Sequence, residues 1–450
     1  MALDPPDTTN RVTERLTMTY PHLRRNRRRA AAIAVPLVAG MLLAACGSGD
    51  SGSSGGKEPQ TITFSYGPAN ANDNAYEQLA KDYEAAHPGV TIKVNKISAE
   101  TYGQTLQTQM AAGNGPDVMQ VNSGAGQPGT VGTLAKPGLL LALKDSSFKS
   151  NIPEAELAGY DYKGQLYGAP SATSIDAVIY NDDLAKQNNV TIDASTTLQD
   201  VISQCGSVPA GSSIFALAGS VPANTGIMTV QIATSTVYGP NPDWNKDRAD
   251  GKTTFAKTKG WQQALQAVVD MNKAGSFQEG AAGAGFADLT NASSSGKAYG
   301  FFAPSGAAKS IMDAAGGHVT LVVLGAPSPA DKNYLSISSD IGLAGNAKTK
   351  SPKLVEDFIK FSISKVEAKK FADSQGTIPI GGDLNAADLL PQYKPVADQL
   401  TNKDYRTFAV DEWTNPEVYN ALGTGVTGLL TGQKTVDEVL KDMDAAWDNG

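Results

Sequence analysis

The chain has 450 residues and a formal net charge of −8, about three domain lengths, which is enough for two lobes with separate cores. Residues 1–45 hold seven arginines against Asp4, Asp7 and Glu14, a net of +4, so the rest of the chain, −8 less +4, carries −12. A body that acidic argues against nucleic acid and anionic membrane surfaces as partners, and two cysteines, Cys46 and Cys205, exclude a disulfide framework or a Cys-rich zinc site.

The N-terminus reads as a targeting segment. Arg24-Arg25-Asn26-Arg27-Arg28-Arg29 is a basic region, and Ala30 to Leu43 is an apolar run interrupted by Pro36. That run suits a signal peptide and is too short for a stable membrane span. Leu43-Ala44-Ala45-Cys46 resembles the lipobox of bacterial lipoproteins, which implies cleavage before Cys46 and a diacylglycerol on its sulfur. The organisation expected is a signal peptide over 1–45, then the lipidated Cys46 and a Gly/Ser tether over 46–59. Met18 offers an alternative start that would leave 1–17 outside the protein, and the paired arginines allow a twin-arginine route beside the general one.

Thr61 to Tyr66 alternates as a first strand, and Asn74 can cap a helix to about Ala86, stopped by His87-Pro88-Gly89. Val90 to Val94 alternates as a second strand. A helix from about Ala99 to Ala112 has Tyr102, Leu106 and Met110 on one face, and Pro116 to Val121 reads as a third, buried strand. This β-α-β-α-β order predicts a parallel sheet, whose ligands lie beyond the carboxyl ends of its strands. Further on, Leu166 to Pro170 and Ile175 to Tyr180 are two strand-like pieces separated by Ser171-Ala172-Thr173-Ser174. Small polar residues between two apolar strands suit a passage from one lobe to another. Later elements include a helix over Thr258 to Ala274, strands over Gly296 to Phe302 and Val319 to Leu324, and a C-terminal helix pair around Gly432.

Several patches resemble the family 1 extracellular solute-binding proteins, the capture subunits of bacterial ABC importers, many of which bind sugars. They are Gly164 to Pro170 followed by Tyr180-Asn181-Asp182-Asp183-Leu184; Tyr83 to Val90; Ala111 to Val118; Gly296-Lys297-Ala298 with its following loop; Gln375 to Pro379; and Thr431 to Leu440. Together they run in order from about residue 61 to 447. The resemblance implies an α/β, two-lobe periplasmic-binding-protein fold of type II-like form, each lobe a mostly parallel sheet flanked by helices, with a ligand cleft between. The lobes expected are 60–172 with 335–378, and 173–334 with 379–450. The implied function is capture of a carbohydrate by a monomer with no cofactor and its delivery to an ABC permease at the outer face of the cell membrane.

Position nominates the ligand contacts. Tyr66 and Asn70 follow the first strand, and Asn122 and Ser123 the third. Ser174 and Asp176 lie in the crossover, Ser305 follows the Gly296 strand, and Trp244 and Trp413 sit in polar loops. Aromatic faces and hydrogen-bonding side chains are what sugar sites combine. Sugar-binding relatives often place an acid early in the crossover and a Trp after the "Gly-Lys-Ala" strand, where this chain has Ser174 and Ser305. That departure leaves polyamine, peptide or iron-chelate binding open. A secreted glycan-active enzyme is the rival class, since paired carboxylates are easily found. Against it, the chain has no HExxH motif. Its one Gly-x-Ser-x-Gly match, Gly52 to Gly56, lies in the tether without the strand and helix an elbow needs. Gly251-Lys252-Thr253 lacks a P-loop's upstream glycine, because Lys246 stands there.

Overall fold

The computed structural model describes residues 60–450 apart from 69–73, 126–127, 153, 340, 381–385, 414 and 450. The signal peptide, Cys46, the tether and Asn70 lie outside the described residues.

Strands β1 (Thr61–Tyr66), β2 (Thr91–Lys96) and β3 (Val118–Asn122) are linked by helices Ala75–Ala86 and Ala99–Ala112. They pair in parallel, with β1 in the middle. Ile62, Phe64 and Tyr66 alternate inward on β1, and the first helix supplies Tyr76, Leu79 and Tyr83 to the same core. A short hairpin follows, β4 (Asp161–Tyr162) and β5 (Gln165–Leu166). Its two-residue turn has φ of 55° at Lys163 and 81° at Gly164, the left-handed pair that tight hairpins require.

The chain then changes sheets. β6 (Gly168–Pro170) closes the first sheet, and β7 (Ser174–Tyr180) opens the second after Ser171-Ala172-Thr173. β8 (Ser213–Ala216), β9 (Ala298–Pro304), β10 (Val322–Leu324) and β11 (Leu335–Ser338) join β7. β12 (Ile341–Gly345) returns to the first sheet between β3 and β6, and β13 (Tyr405–Thr407) adds to β11. Leu335–Ser338 was expected in lobe 1. Its pairing with β7 and β13 puts it in lobe 2, so the return passage comes after Ser338.

Each sheet has one reversed strand. β12 runs antiparallel to both β3 and β6, and β7 runs antiparallel to β9, β10 and β11. The reversed strand is in each case the one that has just arrived from the other lobe. All remaining strands therefore end, by their carboxyl termini, at the edge where the passages cross. Lobe 2 buries both faces of its sheet: Ile175, Ala177 and Ile179 face one core, and Val178 and Tyr180 the other. The second core also takes the C-terminal helix pair, Pro416–Thr431 and Val436–Asp448, which turns at Gly432 in a left-handed cap.

Candidate functional site

The strand ends of lobe 1 build a cavity of about 520 Å³, within the range of small-molecule sites. Gly67 comes from the end of β1, Gln120 and Asn122 from β3, and Ile341 from the start of β12. Tyr102, Gly103 and Gln104 come from the first turns of the second helix, and Pro128 and Gly129 from the loop after β3. Among the described lining residues no side chain is charged, and three are carboxamides.

Local packing fixes this wall. The Gly67 N–H donates to Gln120 Oε1 at 3.0 Å. The Tyr102 hydroxyl lies 2.8 Å from both the Ser65 and Gln120 carbonyl oxygens, so it ties the helix to two strands. Burial raises the Tyr102 phenol well above its ordinary range, so it stays protonated and acts as a donor. Close approach explains the glycines: a Cβ at Gly67 would lie 2.9 Å from Tyr102 Cβ, and one at Gly103 2.5 Å from the Pro128 carbonyl oxygen. Gln120 is held by its oxygen, and its amide nitrogen has no hydrogen-bond partner among the described residues. Asn122 ends β3 exposed. Amides donate and accept at fixed geometry, which suits neighbouring hydroxyl groups on a ligand.

The matching edge of lobe 2 carries Ser174, Asp176, Ser305, Ser336 and Ser338. Ser174 is half-buried at the start of β7. Asp176 is buried, and its Oδ2 accepts from Ser336 Oγ at 3.1 Å. Ser305 is fully buried, and its Oγ accepts from the Ile175 N–H at 3.0 Å and lies 2.7 Å from the Tyr393 hydroxyl.

The residues nominated from sequence therefore divide. Asn122 lines the cavity, and Ser123, half-buried beside it, packs near Gly159. Ser174 and Asp176 stand at the facing edge. Four nominations are corrected by burial. Tyr66 points into the lobe 1 core because β1 alternates, and it packs edge-on against Tyr76 with ring centres 5.3 Å apart. Trp244 and Trp413, each 3% exposed, belong to an aromatic core with Tyr238, Phe255 and Trp261. Trp413 Nε1 donates to Asn245 Oδ1 at 3.2 Å, and Asn245 also accepts from Tyr238 and donates to the Ala409 carbonyl and to Glu412. A single buried amide thus pins the loop that sequence reading placed near the surface. Ser305 has its hydroxyl committed within the protein. Sequence reading missed Gln120, Gln104 and Tyr102. Gln120 did carry a signal: it is the polar residue inside an otherwise apolar strand.

Among the described residues no group of three His, Cys, Asp or Glu side chains could hold a metal ion, and no helix is long and apolar enough to cross a membrane. A binding protein of Brucella abortus (strain 2308) is 27% identical over 115 residues, covering 26% of this chain and 28% of that protein, and a Brucella suis relative matches equally. The chain thus spans less than a third of the length of these curated relatives. Solved structures share the fold, among them the following three. One, described in connection with xylan utilisation by Caldanaerobius polysaccharolyticus, has a TM-score of 0.69 at 17% identity, covering 86% of this chain and 99% of that one. A chitin oligosaccharide binding protein has a TM-score of 0.69 at 20% identity, with 86% and 98% covered. The GacH receptor of Streptomyces glaucescens, solved unliganded and with acarbose, has a TM-score of 0.67 at 17% identity, with 86% and 97% covered. The family model that matches is one of solute-binding proteins, and the second neighbour is by name a binding protein. Residues 78–397, most of the chain, match the family model for bacterial extracellular solute-binding proteins, and the chain belongs to that family.

Proposed function

We propose that the protein is an extracytoplasmic receptor that captures a neutral carbohydrate between its lobes and passes it to an ABC importer, held to the outer face of the membrane by a lipid on Cys46. The observation that carries the reading is the cavity at the strand ends of lobe 1, whose described lining is uncharged and holds three carboxamides. Charged solutes need countercharges when they are desolvated, and the described lining side chains supply none. Gln104, Gln120 and Asn122 supply the paired donors and acceptors that a polyol needs. Ser174, half-buried at the facing edge of lobe 2, is the proposed contact from the other side. Closing the lobes would remove water from the solute and strengthen each polar contact. All four tryptophans, Trp244, Trp261, Trp413 and Trp447, lie in the lobe 2 aromatic cluster. Recognition on this reading rests on hydrogen bonds more than on indole stacking. The xylan, chitin-oligosaccharide and acarbose connections belong to the three neighbours; here they favour the carbohydrate class without naming the sugar.

Titration calorimetry of the purified protein tests the reading. Neutral mono- and oligosaccharides are compared with spermidine, short peptides and ferric citrate. Heat of binding with one saccharide class is expected, and binding of a charged solute alone would overturn it. The anchor is tested separately: Cys46→Ser is expected to move the protein from the membrane fraction to the soluble one, and an unchanged distribution would remove the lipid from the account.

A further inference from the structure

The third passage between the lobes is held by a chain of hydroxyl groups that solute capture does not use. Helix Lys365–Gln375, packed in lobe 1, ends at Gly376 with φ of 70°. A side chain there would meet Lys309 Cβ at 2.3 Å, so the turn is pressed against the lobe 2 helix Gly306–Ala314. The Gly376 carbonyl oxygen accepts from the Tyr393 hydroxyl at 2.7 Å and from Gln392 Nε2 at 3.3 Å. Tyr393 packs in the lobe 2 core.

The order of donors follows from valence. A carbonyl can only accept, and a phenol has one proton. Tyr393 therefore gives its proton to Gly376 and accepts from Ser305, whose oxygen accepts the Ile175 N–H. The relay runs from the start of β7, through the end of β9, to the end of a lobe 1 helix, and every donor in it is used. Burial raises the Tyr393 phenol above its ordinary range, and Ser305 opposes this only in part. The proton that closes the relay is therefore retained at neutral pH.

The second passage is different. Among the described residues Ser338 Oγ is buried with no partner, although its neighbour Ser339 is engaged: the Tyr160 hydroxyl donates to the Ser339 carbonyl at 2.6 Å, and Ser339 Oγ lies 3.3 Å from Thr173 Oγ1. Rearrangement at Ser338 can gain a hydrogen bond, whereas rearrangement at Gly376 can only lose them. We propose that Ser305 and Tyr393 are positioning residues that fix the third passage to lobe 2. Lobe movement then turns about Ser338-Ser339, and the strand bridge between Thr173 and Ile378 moves as one piece with the relay.

The test needs no solute, so it stands apart from the carbohydrate reading. Tyr393→Phe removes the hydroxyl and keeps the ring, and Ser305→Ala is a lighter deletion if the first variant folds poorly. Hydrogen–deuterium exchange of the purified protein is expected to quicken about tenfold at the Ile175 and Ile378 amides, roughly one hydrogen bond's worth, while the rest of the lobe 2 sheet is unchanged. Small-angle scattering is expected to show a wider spread of overall dimensions. Unchanged exchange at both amides, quickening spread through the whole of lobe 2, or local quickening without the wider spread would each overturn the assignment.

Discussion

Lobe 1 and lobe 2 meet the cleft with the same topology, strand ends and one reversed strand each, but they use their polar side chains differently. At the lobe 1 edge Gln104, Gln120 and Asn122 border a cavity. At the lobe 2 edge Ser305 is bonded into the passage and Asp176 holds Ser336. The aromatic residues divide in the same sense: the lobe 2 core takes Trp244, Trp261 and Trp413, whereas the lobe 1 core is built from Phe and Tyr. Polar residues at a cleft edge are therefore not equivalent. Those already satisfied by the fold act as scaffold, and those left open are the ones available to a solute.

Four variants test this contrast. The largest effect is expected for Trp413→Ala, about 3–5 kcal/mol of stability for a large buried aromatic, read by equilibrium denaturation. Solute affinity of the folded fraction should stay the same, and a selective loss of affinity would place that ring in the cleft. Asp176→Ala leaves Ser336 Oγ without its acceptor, so a loss of about 1–3 kcal/mol in the same assay is expected. If stability is unchanged while binding falls, Asp176 belongs with the open groups of lobe 1. Asn122→Ala should weaken saccharide binding about tenfold, the size of one hydrogen bond, with the melting temperature kept because the residue is exposed. Equal stability loss and binding loss would make it scaffold too.

The smallest effect concerns pH. Lys360 and the Ser147 backbone amide hold the Asp145 carboxyl well below its ordinary range. A depressed folded-state pKa contributes stability above the unfolded value, near pH 4, and loses it as pH falls toward the folded value. Asp145→Asn should therefore flatten the acid limb of lobe 1 stability slightly, since the group is exposed and screened. An unaltered acid limb would remove the pair from the account.

Much of the frame was legible because local signals agree with the fold. The helix Ala99–Ala112 follows its apolar spacing and stops at Gly113 in a left-handed cap, and the small-residue run Ser171 to Ser174 does lie between two sheets, with its last residue opening β7. What the sequence hid depends on partners far along the chain. Trp413 reads as a surface residue among Asp411, Glu412 and Asn415, but Asn245 reaches it from another helix. Ser305 resembles a cleft residue until Tyr393 closes over it. Leu335–Ser338 reads like the start of the return to lobe 1, yet its backbone pairs with β7. Gln120 was passed over because its strand is otherwise apolar, and its value lies in one bond to Gly67 that turns the side chain along the cavity wall.

Calorimetric titration of the wild-type protein and of the Gln120→Ala, Asn122→Ala double variant, against a matched panel of neutral oligosaccharides and charged solutes, tests the central claim most directly. Saturable binding of one neutral saccharide class by the wild type is expected, with a loss of about a hundredfold in the variant if the two single-bond effects add. Saccharide binding that survives the double variant intact, or binding of charged solutes only, would contradict it.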